Sequence, residues 1–278
     1  MYPQDGPASF DIREFARTAQ GSHRSAIDLA RLVEEPLDSD SARLLRALRD
    51  GERATLHRMR DLLVTATHKD ARVTAFLTTW MFERYWIADA LDTVLDASPA
   101  ARHLPATVGP ARRVRAERRE RRGPIRRSVV AGITGTRIVA EHMTTGLVDE
   151  WIGQAAYRRL AGASPAMESI VDPLIEVKKR HIRFLAEEAE RLLTHSAGAQ
   201  RVTRRALRRT AWPLGAVDRS HHERAFFERQ VFGDGDGRAQ ARRIRDRIAA
   251  LPGIGAGVAA TVESRLLPEP HGGKSGAD

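Results

Sequence analysis

Apolar residues recur along most of this chain at the three- and four-residue spacing of helices, and no run alternates β-branched with polar residues as a strand would. A short helical pattern near Phe10–Glu34 leads to Pro36. Asp38, Ser39 and Asp40 then offer N-caps to a first long helix, through Leu45, Leu48, Leu56, Met59 and Leu63 to about Thr67. A second covers about Ala71–Asp96 and stops at Ser98-Pro99, and a third runs from about Arg126 to Leu160. Ser164-Pro165 is a good start for a fourth, reaching about Leu193, with Pro173 expected to kink or restart it. Residues 98–125 read as a Pro- and Arg-rich connection in which Ala111–Arg122 is itself a candidate helix. An Arg-rich helix before Trp212-Pro213 and a last helix over about Arg238–Leu251 complete the prediction. The fold class is therefore all-α, organised as an arm (1–37), a helical bundle (38–197), a C-terminal extension (198–267) and a disordered Pro/Gly tail (268–278).

The faces of these helices carry the chemistry. On the second, Leu77, Trp80, Met81, Arg84, Ile87, Ala88, Leu91 and Leu95 form one stripe, so Arg84 falls among apolar residues and Glu83 borders them. On the third, Val139, Met143, Gly146, Glu150, Gly153 and Tyr157 share a face whose glycines predict close helix contact. On the fourth, Ile170, Leu174, Val177, His181, Leu185, Glu188 and Leu192 share a face, with Lys178 at its margin. Ionisable groups in apolar stripes need one another, a metal or water.

These helices resemble the ferritin-like superfamily of di-iron carboxylate bundles, particularly its desaturase-like and oxygenase-like branches. The family's second helix reads approximately W-x-x-E-E-x-R-H, and here Trp80-Met81-Phe82-Glu83-Arg84-Tyr85-Trp86-Ile87 stands in that place. A ligand Glu often lies seven residues before a Tyr on the third helix, as Glu150 precedes Tyr157. The fourth typically reads I-x-x-D-E-x-R-H-x-x-F, against Leu174-Ile175-Glu176-Val177-Lys178-Lys179-Arg180-His181-Ile182-Arg183-Phe184 here. The resemblance covers roughly residues 45–195 and implies a ferritin-like four-helix bundle with helical extensions at both ends. Such proteins coordinate two irons through Glu from two helices and Glu-x-x-His from the other two.

The departures change that implication. Position by position, a ligand Glu becomes Arg84 and its His becomes Ile87, another Glu becomes Lys178, and Glu150 and His181 match. On the first helix both Glu52 and His57 are candidates. A cation at a ligand position repels iron and donates no lone pair. Arg84 and Lys178 would then neutralise the carboxylates themselves, with Arg84 to Glu150 the first pairing expected. The competing reading has both cations reach solvent along their aliphatic stems. The expectation is an altered carboxylate site without a cofactor, in a ligand-binding or scaffold protein. The alternative is an iron- or manganese-dependent oxidoreductase or oxygenase using the shifted set Glu83, Glu150, Glu176 and His181. Glu141, His142 and Asp149 form a weaker set.

Composition adds a third reading. The net charge is +10 and pI near 10.9, but 42 arginines against four lysines look like coding bias. Arg112–Arg127 holds nine arginines against Glu117 and Glu120, and Arg201, Arg204, Arg205, Arg208 and Arg209 add five more. Leu251-Pro252-Gly253-Ile254-Gly255-Ala256-Gly257-Val258-Ala259 resembles the turn of a helix-hairpin-helix DNA-binding motif. The commoner meaning is a turn joining two terminal helices packed on the bundle. Nucleic-acid binding is expected to be weak and non-specific at most. Asp234-Gly235-Asp236-Gly237 begins like a calcium loop, but Arg245 stands at the bidentate acid position, so it reads as a plain loop. His221-His222-Glu223 reads as surface.

With no cysteine, disulfides, thiolate metal sites and cysteine nucleophiles are excluded. No apolar run approaches a membrane span, and MYPQDGPASFDIREF lacks the features of a signal peptide. A cytoplasmic protein is expected, with a homodimer, a small ligand or a protein as partner and no membrane.

Overall fold

The computed structural model describes residues 9–63, 65–104, 137–215 and 219–269. Among these there are eleven α-helices and no strand. The chain is all-α. Short helices α1 (Ile12–Arg17) and α2 (Leu29–Glu34) precede α3 (Ser39–Leu63) and α4 (Ala71–Ala97), and a single turn, α5 (Pro99–Arg102), follows. Two longer helices, α6 (Arg137–Ala161) and α7 (Pro165–Thr194), come next. The C-terminal part contains α8 (Ala197–Arg209), α9 (His221–Phe232), α10 (Gly235–Ala250) and α11 (Ala256–Leu266).

Local chemistry fixes the helix starts. Asp38 accepts from the Ser41 N–H at 2.7 Å ahead of α3, Asp70 from Val73 at 3.0 Å at α4, and Ser164 from Met167 at 3.2 Å at α7. Pro165 occupies the first turn of α7, where no amide hydrogen bond is lost. α7 continues through Pro173 as one element, so of the expected kink or restart there is no restart. Pro173 and Ser169 both face solvent, where water can satisfy the Ser169 carbonyl that Pro173 leaves without an amide donor.

The four long helices pack as two hairpins, α3 against α4 and α6 against α7, with α3 touching α6 and α4 touching α7. Between them lie Leu44, Leu45, Phe76, Leu77, Ile87, Leu91, Met143, Leu147, Leu174 and Phe184, all buried. Burial of each such side chain stabilises the fold by ~1.5–3 kcal/mol. The α6 glycines face α7 without an unusually close approach: a Cβ at Gly146 would lie 3.6 Å from Leu185, and one at Gly153 3.8 Å from Lys178 Cε, both ordinary packing distances. α8 packs on α6 and α7, the α10–α11 hairpin adds to α6 and α8, and α1 and α2 lie on α4.

Asp234 is not in a loop but caps α10, accepting from the Gly237 N–H at 2.8 Å, so the helix starts at Gly235. The acid serves the amides of a first turn. α9 was not expected from the sequence; α11 is the second of the two terminal helices joined by the Leu251–Gly255 turn, with Gly253 and Gly255 at φ +69° and +80°. The Arg112–Arg127 segment, the start expected for the third helix and residues 270–278 lie outside the described residues.

Candidate functional site

Each long helix delivers at least one charged group to the interior between the hairpins. Glu52 comes from α3, Arg84 from α4, Glu150 from α6 and Lys178 from α7, each at most 5% exposed. Glu52 Oε1 accepts from Lys178 Nζ at 2.9 Å and from the Tyr157 hydroxyl at 2.9 Å. Its other oxygen accepts from Arg84 Nε. Glu150 Oε1 accepts from the Trp80 indole N–H at 3.1 Å and from Arg84 at 3.2 Å. Lys178 Nζ stands 2.8 Å from Glu150 Oε2. The Arg84 guanidinium also lies over the Trp80 ring, 4.8 Å from its centre. Two carboxylates and two cations thus form a closed, formally neutral ring.

Beside it lies a second buried pair. His181 Nε2 is 2.7 Å from Glu83 Oε2, while Nδ1 is 3.8 Å from Glu150 Oε1, too far for a hydrogen bond. The N-terminal arm covers this end. The Gln20 N–H donates to Glu83 at 2.9 Å, and Arg180, 3.4 Å from Glu83, donates to the carbonyls of Thr18 and Phe15. Phe15 and Phe76 meet the His181 ring edge-on.

The charges set the protonation states. Burial alone would raise Glu150, yet Lys178 and Arg84 outweigh it and hold the carboxyl down at about 2. Against the same burial, Arg84 and Lys178 keep Glu52 below its usual range. Burial also opposes the charge on Arg84, but Glu52 and Glu150 push its pKa upward. Burial, then Glu52, raises the Tyr157 phenol, which stays a donor. Burial lowers His181 against the pull of Glu83. A neutral imidazole donating from Nε2 to Glu83 fits that direction.

The sequence candidates separate accordingly. Arg84, Lys178 and Glu150 meet in the ring, and Glu83 and His181 meet beside it. Glu176 does not join them: its side chain is 67% exposed and pairs with Lys179 at 2.5 Å. The cause is rotation, since two residues along a helix turn Glu176 about 200° from Lys178. Of the weaker set, Glu141 and His142 stay 3.5 Å apart, and Asp149 does not join them. His142 Nδ1 lies 2.9 Å from the Thr67 hydroxyl, and Asp149 accepts from the Leu214 N–H at 2.7 Å. Glu223, expected at the surface, is buried and pairs with Arg43 at 2.9 Å. The side chain of His57 lies outside what is described. Glu52 had a readable signal, because Leu45, Leu48, Glu52 and Met59 lie on one helical stripe. The arm contacts had none, since they join residues more than 60 positions apart.

The ring does not fit a di-metal centre. An ammonium and a guanidinium already occupy the inner side of both carboxylates, and neither donates a lone pair. Among the described residues no three His, Asp or Glu converge as a metal would require. The adjoining cavity, lined by Glu52, Arg84, Glu150, Lys178, Leu214 and Arg219, has about 30 Å³. That is room for about one or two waters, against ~300 Å³ for a small-ligand pocket. A surface hollow of about 510 Å³ at the α6–α7 loop contains none of the ring residues. Among the described residues no helix is long and apolar enough to cross a membrane. No family model matches this chain, and no curated protein or solved structure matches it.

Proposed function

We propose that this chain is a ferritin-like helical-bundle scaffold protein in which Arg84 and Lys178 supply internally the positive charge that two metal ions supply in that superfamily. The observation that carries the reading is the placement of both cations within 3.2 Å of Glu150, at the two positions where the family pattern has ligand glutamates. A carboxylate cluster inside a helical core needs positive charge close by, and a fixed side chain provides it without exchange. The ring then acts as a polar clasp that joins all four helices in one register. The small adjoining cavity supports a scaffold over a ligand carrier, because its volume of about 30 Å³ is far below the ~300 Å³ of a small-ligand pocket.

Elemental analysis after aerobic incubation with Fe(II), and separately with Mn(II), tests this. The expected result is well under one metal per chain and no oxo-bridged absorption. Two tightly held metal ions per chain would contradict it.

A further inference from the structure

The C-terminal extension concentrates charge in the opposite manner. α8 buries Ala199, Thr203 and Leu207 on one side. At 100° per residue, Arg201, Arg204, Arg205, Arg208 and Arg209 fall within an arc of about 140° centred on the other side. Arg201, Arg205, Arg208 and Arg209 are exposed, and none pairs with an acid among the described residues. The sequence offers no Asp or Glu between Glu190 and Asp218.

Two more arginines extend this face while leaving their charge uncompensated. Arg204 donates to the Gly253 carbonyl at 2.6 Å, and Arg265 of α11 donates to the Thr210 carbonyl at 2.8 Å. Both bonds tie the α10–α11 turn and α11 to α8. Arg208 reaches within 3.9 Å of where a Cβ on Gly257 would stand, at the first turn of α11. Five α8 cations and Arg265 thus share one surface.

We propose that this α8–α11 face binds the phosphate backbone of duplex nucleic acid without reading its sequence. This goes beyond the scaffold reading and does not depend on the buried ring. A duplex presents one negative charge per ~1.7 Å of axis, so the ~12 Å from Arg201 to Arg209 faces several phosphates at once. Guanidinium forks suit phosphate oxygens. Gln200 packs against Gly253 instead of projecting outward, and α8 has no other amide side chain for base edges. Neither α8 nor α11 has an aromatic residue, so single strands find no stacking platform. The apolar side of α8 is already buried on α6 and α7, which leaves nothing to insert into a bilayer.

Fluorescence anisotropy of the full chain with a 20-base-pair duplex, repeated at several salt concentrations, tests the proposal. The R201Q/R205Q/R208Q/R209Q variant is expected to bind at least about tenfold more weakly at low salt, with a salt slope shallower by ~3.6. Duplexes of different sequence should bind alike. Should the quadruple variant melt early, R205Q/R208Q serves, with a slope change of ~2. Unchanged affinity and slope in a folded variant would overturn the proposal. So would loss of binding only when the Arg112–Arg127 arginines are neutralised. Tighter attachment to phosphatidylserine vesicles than to duplex at equal salt would assign the face to a lipid surface instead.

Discussion

Arginine performs two unlike tasks in the α4 interior and on the α8 surface. Arg84 is 5% exposed, held by Glu52 and Glu150 and stacked over Trp80. Arg205 and Arg208 stand in solvent and pair with no acid among the described residues. In the interior a charge persists only when every neighbour answers it, so the ring is an all-or-none arrangement. At the surface, water and salt screen each charge separately, so each arginine contributes on its own. Counting arginines along the sequence cannot tell these apart. Their position relative to the apolar stripe can.

The largest expected effect comes from opening the ring. Glu52→Ala, Glu150→Ala or Lys178→Ala each leaves an unanswered buried charge and should cost about 3–5 kcal/mol in denaturant unfolding. Replacing Arg84 and Glu150 together by Met and Leu leaves Glu52 facing Lys178 and should recover much of the loss. Singles within error of wild type would make the two regions equivalent and break the comparison.

Acid should separate the regions next. His181 titrates lower folded than its usual 6.5, so the unfolded chain takes up more protons there and stability falls as pH drops below about 6.5. Glu52 and Glu150 titrate lower folded than unfolded, so their contribution is complete above the ordinary carboxylate range. It is lost as pH falls from about 4.5 towards 2. Chemical denaturation at steps from pH 7 to pH 3 would show a first decline removed by His181→Gln and a second that remains. A profile flat down to pH 5 would contradict a neutral buried imidazole.

The smallest effects belong to the surface. Glu176→Gln should change stability by under about 0.5 kcal/mol, because its partner Lys179 is equally solvated. Neutralising Arg205 and Arg208 should likewise leave the unfolding midpoint within about 0.5 kcal/mol of wild type. A larger loss in either variant, measured by thermal or urea melts, would show a packing role that the exposed positions do not suggest.

The sequence made much of the helical core legible, and the reason is chemical. Asp70 and Ser98-Pro99 bracket α4, and Ser164-Pro165 starts α7, because caps and prolines act within a few residues. α9 was missed for a related reason: Gly233 and Gly235 read as loop, whereas they separate α9 from α10. At the site, Arg84, Glu150, Lys178 and His181 were readable from helical phase. Glu52 and the turning away of Glu176 follow from the same helical phase, whereas the arm over Glu83 joins distant segments, which periodicity does not encode.

Side-chain cations, Arg84 and Lys178, neutralise the interior carboxylates Glu52 and Glu150. The most direct test of this compares urea unfolding of the wild-type chain in excess EDTA with unfolding in the presence of Fe(II) or Mn(II). A metal bound at 100 times its dissociation constant would stabilise the folded state by about 2.7 kcal/mol. Superimposable curves are expected, since Arg84 and Lys178 already neutralise Glu52 and Glu150. A metal-dependent rise of that size, abolished by Glu150→Ala, would contradict this neutralisation.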